Sequence, residues 1–196
     1  MSNISIEQIK KLKELSGVGL TDAKQALVEA DGDFDKALDA MRKKGLTKAE
    51  KRGDRETREG IIESYIHDGR LGSIVEVNCE TSFVAKTDEF KDLAHKIAMQ
   101  IASMNPLYVS EEDIPAEIMS AKMAELESNF KGPENMKEQI LGGQVKKAFS
   151  DKVLLNQPYI LDDSKTVAEF IKDNIAKTGE NITIRQFKRI ELGVTE

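Results

Sequence analysis

Cys79, His67 and His95 are the residues through which this chain could do covalent or acid–base chemistry, and their spacing gives them no obvious partners. A cysteine nucleophile needs a base or an electropositive pocket to hold its thiolate, and Cys79 sits in a mixed-charge stretch that offers neither. The two histidines are far apart and follow no metal-ligand spacing, so they read as structural or solvated. No phosphate-cradling GxxxxGK[ST] loop, strand-borne GxGxxG, GxSxG elbow or HExxH pair occurs. The many carboxylates fall on helical stretches, where a solvated face is their ordinary use. These absences predict a protein that is not an enzyme and needs no metal or cofactor. Three segments stand out instead: Ser16-Gly17-Val18-Gly19-Leu20, Cys79-Glu80-Thr81-Ser82-Phe83-Val84-Ala85 and Asn156-Gln157-Pro158-Tyr159-Ile160. In the second, an aromatic in a connection between a strand and a helix either lids the local core or points away from it.

The elements around these segments follow from periodicity. Ile6, Ile9, Leu12 and Leu15 recur at helical spacing, and Gly17-Val18-Gly19 predicts a stop. Thr21 is the expected N-cap of a second helix carrying Ala23, Ala26, Leu27 and Ala30. Asp33 is expected to cap a third, with Phe34, Ala37, Leu38 and Met41 facing inward and Gly45 ending it. Residues 1–45 therefore read as a three-helix module, residues 46–59 as a charged, partly helical linker, and residues 60–196 as an α+β core. In that core, Gly60–His67 and Leu71–Asn78 flank Asp68-Gly69-Arg70, a β-hairpin pattern. Thr87 is placed to cap a helix with the stripe Phe90, Leu93, Ala94, Ile97, Ala98, Ile101 and Ala102, which Asn105-Pro106 ends. Further helices are expected from Pro115 to about Phe130, over 134–149 with a break at Gly142-Gly143, and over 165–177. Asn156–Ile160 reads as a loop, and 181–192 as a last strand. The fold class is α+β: a three-helix unit joined to a small antiparallel sheet covered by helices.

Composition agrees with that class. The chain has 196 residues, 39% hydrophobic, 33% charged and 5% aromatic, so it can bury a sizeable core without a disulfide. Its 29 basic and 35 acidic residues, net −6, argue against nucleic acid as the main partner. Lys48, Lys51, Arg52, Arg55 and Arg58 form a basic run, diluted by Glu50, Asp54, Glu56 and Glu59. No apolar run is long enough to span a bilayer, and the N-terminus is neither a signal sequence nor a transit peptide, so a cytoplasmic protein without a membrane partner is expected.

Several stretches together carry a resemblance. LKELSGVGLTDAKQALVEADGDFDKALDAMRKKG, YIHDGRLGSIVEVNCETSFVAKTDEF, MNPLYVS, NQPYILDDSKTV and RQFKRIELG, in this order, resemble the landmarks of bacterial translation elongation factor Ts, short form. The resemblance runs nearly end to end. It implies that residues 1–45 are a ubiquitin-associated-like (UBA-like) module and that residues 60–196 form a dimerisation-type core. It also implies guanine-nucleotide exchange on elongation factor Tu, in its GDP-bound and nucleotide-free forms. The signature loop Thr81, Ser82, Phe83 and Val84 would enter the GTPase and disturb its Mg²⁺ and phosphate surroundings, with Phe83 as an apolar wedge. Val18, Gly19 and Leu20 would make a second contact. The family loop usually reads Thr-Asp-Phe-Val, so Ser82 replaces an acid here. Short members resemble dimer-forming ones, which leaves a homodimer as an expectation. The competing reading is an adaptor that binds a partner protein through the UBA-like module without nucleotide exchange.

Overall fold

The computed structural model describes residues 4–16, 19–50, 52–130 and 136–194. In chain order the elements are α1 (Ile6–Ser16), α2 (Leu20–Glu29), α3 (Phe34–Glu50), β1 (Glu59–His67), β2 (Leu71–Cys79) and α4 (Ser82–Ala85). There follow α5 (Asp88–Met104), α6 (Ala116–Ser128), α7 (Lys137–Phe149), β3 (Pro158–Tyr159), β4 (Asp162–Thr166), α8 (Val167–Thr178) and β5 (Ile182–Glu191). One sheet has the order β1-β2-β5, and β3 and β4 pair antiparallel as a second. The α+β class read from the sequence is the class observed. The chain divides into two compact units: Met1–Ile61 with Val77–Leu93 and Glu169–Thr183, and Ile62–Glu76 with Ala94–Ala168 and Ile184–Glu196.

In the first unit, α1, α2 and α3 pack on one another around Ile9, Leu12, Ala23, Ala26, Leu27, Ala37 and Met41. Fully burying a leucine such as Leu12 or Leu27 is worth about 2 kcal/mol. Only half of the expected α1 stripe is used, since Ile6 and Leu15 stay exposed. Asp33 caps α3 as expected, its Oδ1 accepting the Lys36 N–H at 3.1 Å. Two expectations fail here. Gly19, not Thr21, is the N-cap of α2, and α3 runs through Gly45 to Glu50. An interior glycine costs a helix only about 1 kcal/mol, which a helix anchored by Ala37 and Met41 can bear. Gly60 is demanded by space. A Cβ there would lie 2.3 Å from the Val77 carbonyl oxygen and 2.7 Å from the Asn78 Cα.

The α5 stripe from Phe90 to Ala102 is buried throughout. Thr87 caps this helix, its Oγ1 accepting the Phe90 N–H at 3.2 Å, and Asn105 at φ 47° ends it before Pro106. Within the second unit, Ser73 of β2 donates to the Ala98 carbonyl of α5 at 2.6 Å, and Arg189 Nε of β5 donates to the Ala102 carbonyl at 2.9 Å. There α6 packs on α7, and α7 passes unbroken through Gly142-Gly143, against expectation. No Cβ built at either glycine meets an atom within 4 Å, and buried Leu141 and Val145 fix the helix on either side. The start of that expected stretch, residues 134 and 135, lies outside the described residues.

Asn156–Ile160 is not a plain loop. It is a 3₁₀ turn, Leu154–Asn156, followed by β3, which pairs with β4; the helix expected from residue 165 accordingly starts at Val167. Two buried glutamines hold this hairpin. Gln100 donates to Gln157 Oε1 and to the Pro158 carbonyl, both at 3.1 Å, and accepts the Ile160 N–H at 2.8 Å. Gln157 donates in turn to the Met104 and Asp151 carbonyls at 3.2 and 2.8 Å. Buried amides with all partners in place are stabilising, because the cost of burial is met bond by bond.

Candidate functional site

The segment expected as a loop, Thr81 to Ala85, is a single turn of helix, α4, with Thr81 at its N-cap. Thr81 has extended backbone angles, and its carbonyl accepts the Ala85 N–H at 3.2 Å while its Oγ1 accepts the Val84 N–H at 3.5 Å. The turn closes through Thr87, whose hydroxyl donates to the Val84 carbonyl at 2.8 Å. Ala85 is buried, Thr81, Ser82 and Val84 are half-buried, and Phe83 is 85% exposed. Of the two readings of that aromatic, lid or protrusion, the structure shows the protrusion. An apolar ring held in water on an ordered turn is unusual, and none of the described residues covers it.

Two carboxylates surround the turn. Glu180 accepts the Thr81 N–H at 2.9 Å with Oε2 and the Thr81 hydroxyl at 2.6 Å with Oε1. Glu80 Oε1 accepts the Asn181 N–H at 2.7 Å, and Arg55 Nη1 lies 3.4 Å from both Glu80 oxygens. Buried Asn181 then donates through Nδ2 to the Gly53 and Arg55 carbonyls at 3.1 and 2.8 Å. Glu180 reaches this place because α8 ends at Thr178 and Gly179 turns the chain at φ +78°, a conformation that favours glycine. Sequence reasoning missed Glu180 and Asn181. Their signal was a polar Gly-Glu-Asn run between an amphipathic helix and a strand.

Cys79 is buried beneath the same turn, donating to the Thr81 carbonyl at 3.2 Å. Burial, reinforced by the Glu180 charge, pushes its thiol up to about 11, so it stays protonated at neutral pH and is a poor nucleophile. The histidines make local contacts of the structural kind, with neither a nucleophile nor a metal-ligand partner among them. His67 Nδ1 is 3.0 Å from the Tyr65 hydroxyl, His95 Nδ1 is 3.4 Å from Glu63, and the Tyr65 and His95 rings meet edge to face. Among the described residues there is no group of three or more metal-ligating side chains. No described helix is long and apolar enough to cross a membrane.

The second expected contact is only partly described. Val18 lies outside the described residues; Gly19 is the exposed N-cap of α2, and Leu20 after it is 51% exposed. The three arginines of the basic run are engaged within the chain. Arg52 donates to the Ile175 carbonyl at 3.3 Å, Arg55 pairs with Glu80, and Arg58 pairs with Glu56 at 2.7 Å.

Fold and site together define an α+β protein that displays one aromatic side chain on a braced helical turn. Its relatives are specific. Residues 47–194 match the family model described as elongation factor TS. Elongation factor Ts of Thermotoga sp. (strain RQ2) is 50% identical over 192 residues, covering 97% of this chain and 96% of that protein. Elongation factor Ts of Syntrophomonas wolfei is 49% identical over 194 residues, covering 97% and 91%. That of Desulfosudis oleivorans is 45% identical over 197 residues, covering 98% and 100%. The chain belongs to the elongation factor Ts family.

Proposed function

We propose that this chain is a guanine-nucleotide exchange factor for elongation factor Tu in protein synthesis, and that it acts by inserting the Thr81–Val84 turn into the GTPase with Phe83 as the wedge. The observation that carries the mechanism is Phe83, exposed and apolar at the end of a turn whose backbone is tied down on both sides. Covering such a ring in a partner releases about 2–3 kcal/mol, and each 1.4 kcal/mol changes an affinity about tenfold. If the wedge fits only the partner with its Mg²⁺ and phosphate surroundings disturbed, GDP binding weakens by the same coupling free energy. No catalytic group, metal or cofactor of this chain takes part.

Ser82 is the first residue of α4 and half-buried, so the family's acid is missing at the base of the turn while the wedge beyond it is intact. Val18, Gly19 and Leu20 form the second contact, with Leu20 supplying the apolar surface. The working division of the chain is a UBA-like module over 1–45, a linker over 46–59 and the core over 60–196. The protein works in the cytoplasm, without direct contact to nucleic acid or membrane. It also pairs with a second copy. In the second unit exposed Ile62 and Ile74, with Val75 and Phe187, form the apolar part of a shallow cavity of about 210 Å³ that Glu76, Gln186 and Lys188 rim, a mixed surface that supports pairing with a like one. Light scattering over a concentration series would show a mass that stays at one chain if this pairing is wrong.

The test of the activity is release of a fluorescent GDP analogue from the cognate elongation factor Tu, with and without the chain. Acceleration is expected. Binding without acceleration would contradict exchange and favour the adaptor reading.

A further inference from the structure

Glu80-Thr81 and Glu180-Asn181 lie about a hundred residues apart in sequence, yet the fold makes them reciprocal. Each carboxylate accepts the backbone N–H of the residue that follows the other: Glu180 takes Thr81 N–H at 2.9 Å, and Glu80 takes Asn181 N–H at 2.7 Å. Arg55, 3.4 Å from both Glu80 oxygens, offsets the repulsion of two neighbouring acids. The two halves of this clasp do different work. Glu80 ties down the start of β5, whereas Glu180 acts on the turn that carries Phe83.

Three facts give Glu180 that effect. A helix of one turn does not hold itself in water, because nucleation costs more than one turn returns. Thr81 N–H precedes the turn and has no helical acceptor, so Glu180 meets a need that would otherwise be left open. The Thr81 hydroxyl also has two roles. By donating to Glu180 Oε1 at 2.6 Å it keeps its lone pairs free for the Val84 N–H, the bond that closes the turn around Phe83.

Building on the exchange-factor reading above, we propose that Glu180 is a positioning residue for nucleotide exchange, holding the Thr81 cap so that Phe83 is presented ready to insert. It touches neither the nucleotide nor the GTPase. Its contribution is preorganisation, which a flexible turn would have to provide at the moment of binding.

The test compares native protein, Glu180→Ala, Glu180→Gln, Phe83→Ala and the Phe83→Ala/Glu180→Ala double variant in the GDP-release assay, with saturating rate and half-saturating concentration read separately. Amide hydrogen exchange at Val84 and Ala85 is followed in the free chain, with Val75 and Val77 of β2 as internal controls. Glu180→Ala is expected to lower the saturating rate about tenfold and to speed amide exchange at Val84 and Ala85, but not at Val75 and Val77. Glu180→Gln keeps an acceptor for the Thr81 N–H and should come within about threefold of native. The double variant should be no slower than Phe83→Ala, because Glu180 acts only through the turn.

A native saturating rate in Glu180→Ala, with Phe83→Ala still slow, would overturn the positioning role and leave the exchange reading standing. So would losses that add in the double variant, or amide exchange at Val84 that stays at the native rate. Should Glu180→Ala unfold, Glu180→Gln decides: a rate as low as that of Phe83→Ala, with β2 amides intact, would show that the retained acceptor is not what matters, and would overturn the role. A native chain that leaves GDP release unchanged overturns the exchange reading itself, and this role with it.

Discussion

Two helices in this chain begin at places proposed to meet the same partner, and they are started in opposite ways. α4 starts at Thr81, whose amide and hydroxyl are both taken by Glu180 while its own Oγ1 accepts from Val84. α2 starts at Gly19, which makes no side-chain cap bond at all. Both are followed by an exposed apolar side chain, Phe83 in one case and Leu20 in the other. The difference matches the two tasks proposed for these sites. A wedge that must disturb a partner's bound nucleotide does so only if the wedge yields less than the site it enters, so its turn is braced from outside. A contact that only adds affinity gains little from such bracing and is served by a plain helix start.

The largest expected effect concerns Cys79, which lies buried beneath Thr81, with burial first and the Glu180 charge second in raising its thiol. With its thiol pushed up from 9.0 to about 11, Cys79 should react with iodoacetamide at pH 8 about a hundredfold more slowly than an exposed cysteine, before any steric protection. A native-state rate within a few-fold of a cysteine peptide would mean that the turn is open. The same shift carries a sign for stability. The folded chain binds this proton more tightly than the unfolded one, so the contribution is fully present below pH 9 and is lost as pH rises from 9 towards 11. A urea midpoint that falls across that interval in native protein, and falls less in Cys79→Ala, is the expected result.

The two N-caps give a direct contrast of intermediate size. Thr81→Val removes the hydroxyl that Glu180 and Val84 share and should cost about 1–2 kcal/mol in denaturant unfolding. Gly19→Ala is the smallest effect. Gly19 has φ −65° and ψ 156°, which alanine adopts freely, and the nearest atom to an added Cβ is Asp22 Oδ2 at 3.9 Å. Its stability should stay within about 0.5 kcal/mol of native. Equal costs at both positions would erase the contrast between the two helix starts.

Much of this was legible in the chain itself. The α5 stripe, the hairpin around Asp68-Gly69-Arg70, the Asp33 and Thr87 caps and the last strand all follow from period and capping chemistry, which depend on neighbours a few residues away. What periodicity mishandled were glycines inside helices. Gly45, Gly142 and Gly143 looked like stops; local propensity cannot weigh tertiary packing such as that of Leu141 and Val145, which carries α7 across its glycine pair. The short β3–β4 hairpin was hidden for a similar reason, since buried Gln100 and Gln157 fix it from other elements. At the site, Phe83 was visible as an odd aromatic, but not the direction in which it points. Glu180 was out of reach, because its meaning lies in a hydrogen bond to a residue nearly a hundred positions earlier.

The central claim is that the braced turn drives nucleotide release while the α2 start adds affinity. The measurement that tests it most directly is a titration of native protein, Phe83→Ala and Leu20→Ala against labelled-GDP-loaded elongation factor Tu, reading saturating rate and half-saturating concentration for each. Phe83→Ala should lower the saturating rate by about tenfold or more, whereas Leu20→Ala should keep that rate and raise the half-saturating concentration about threefold. A Phe83→Ala protein that reaches the native saturating rate would contradict the account.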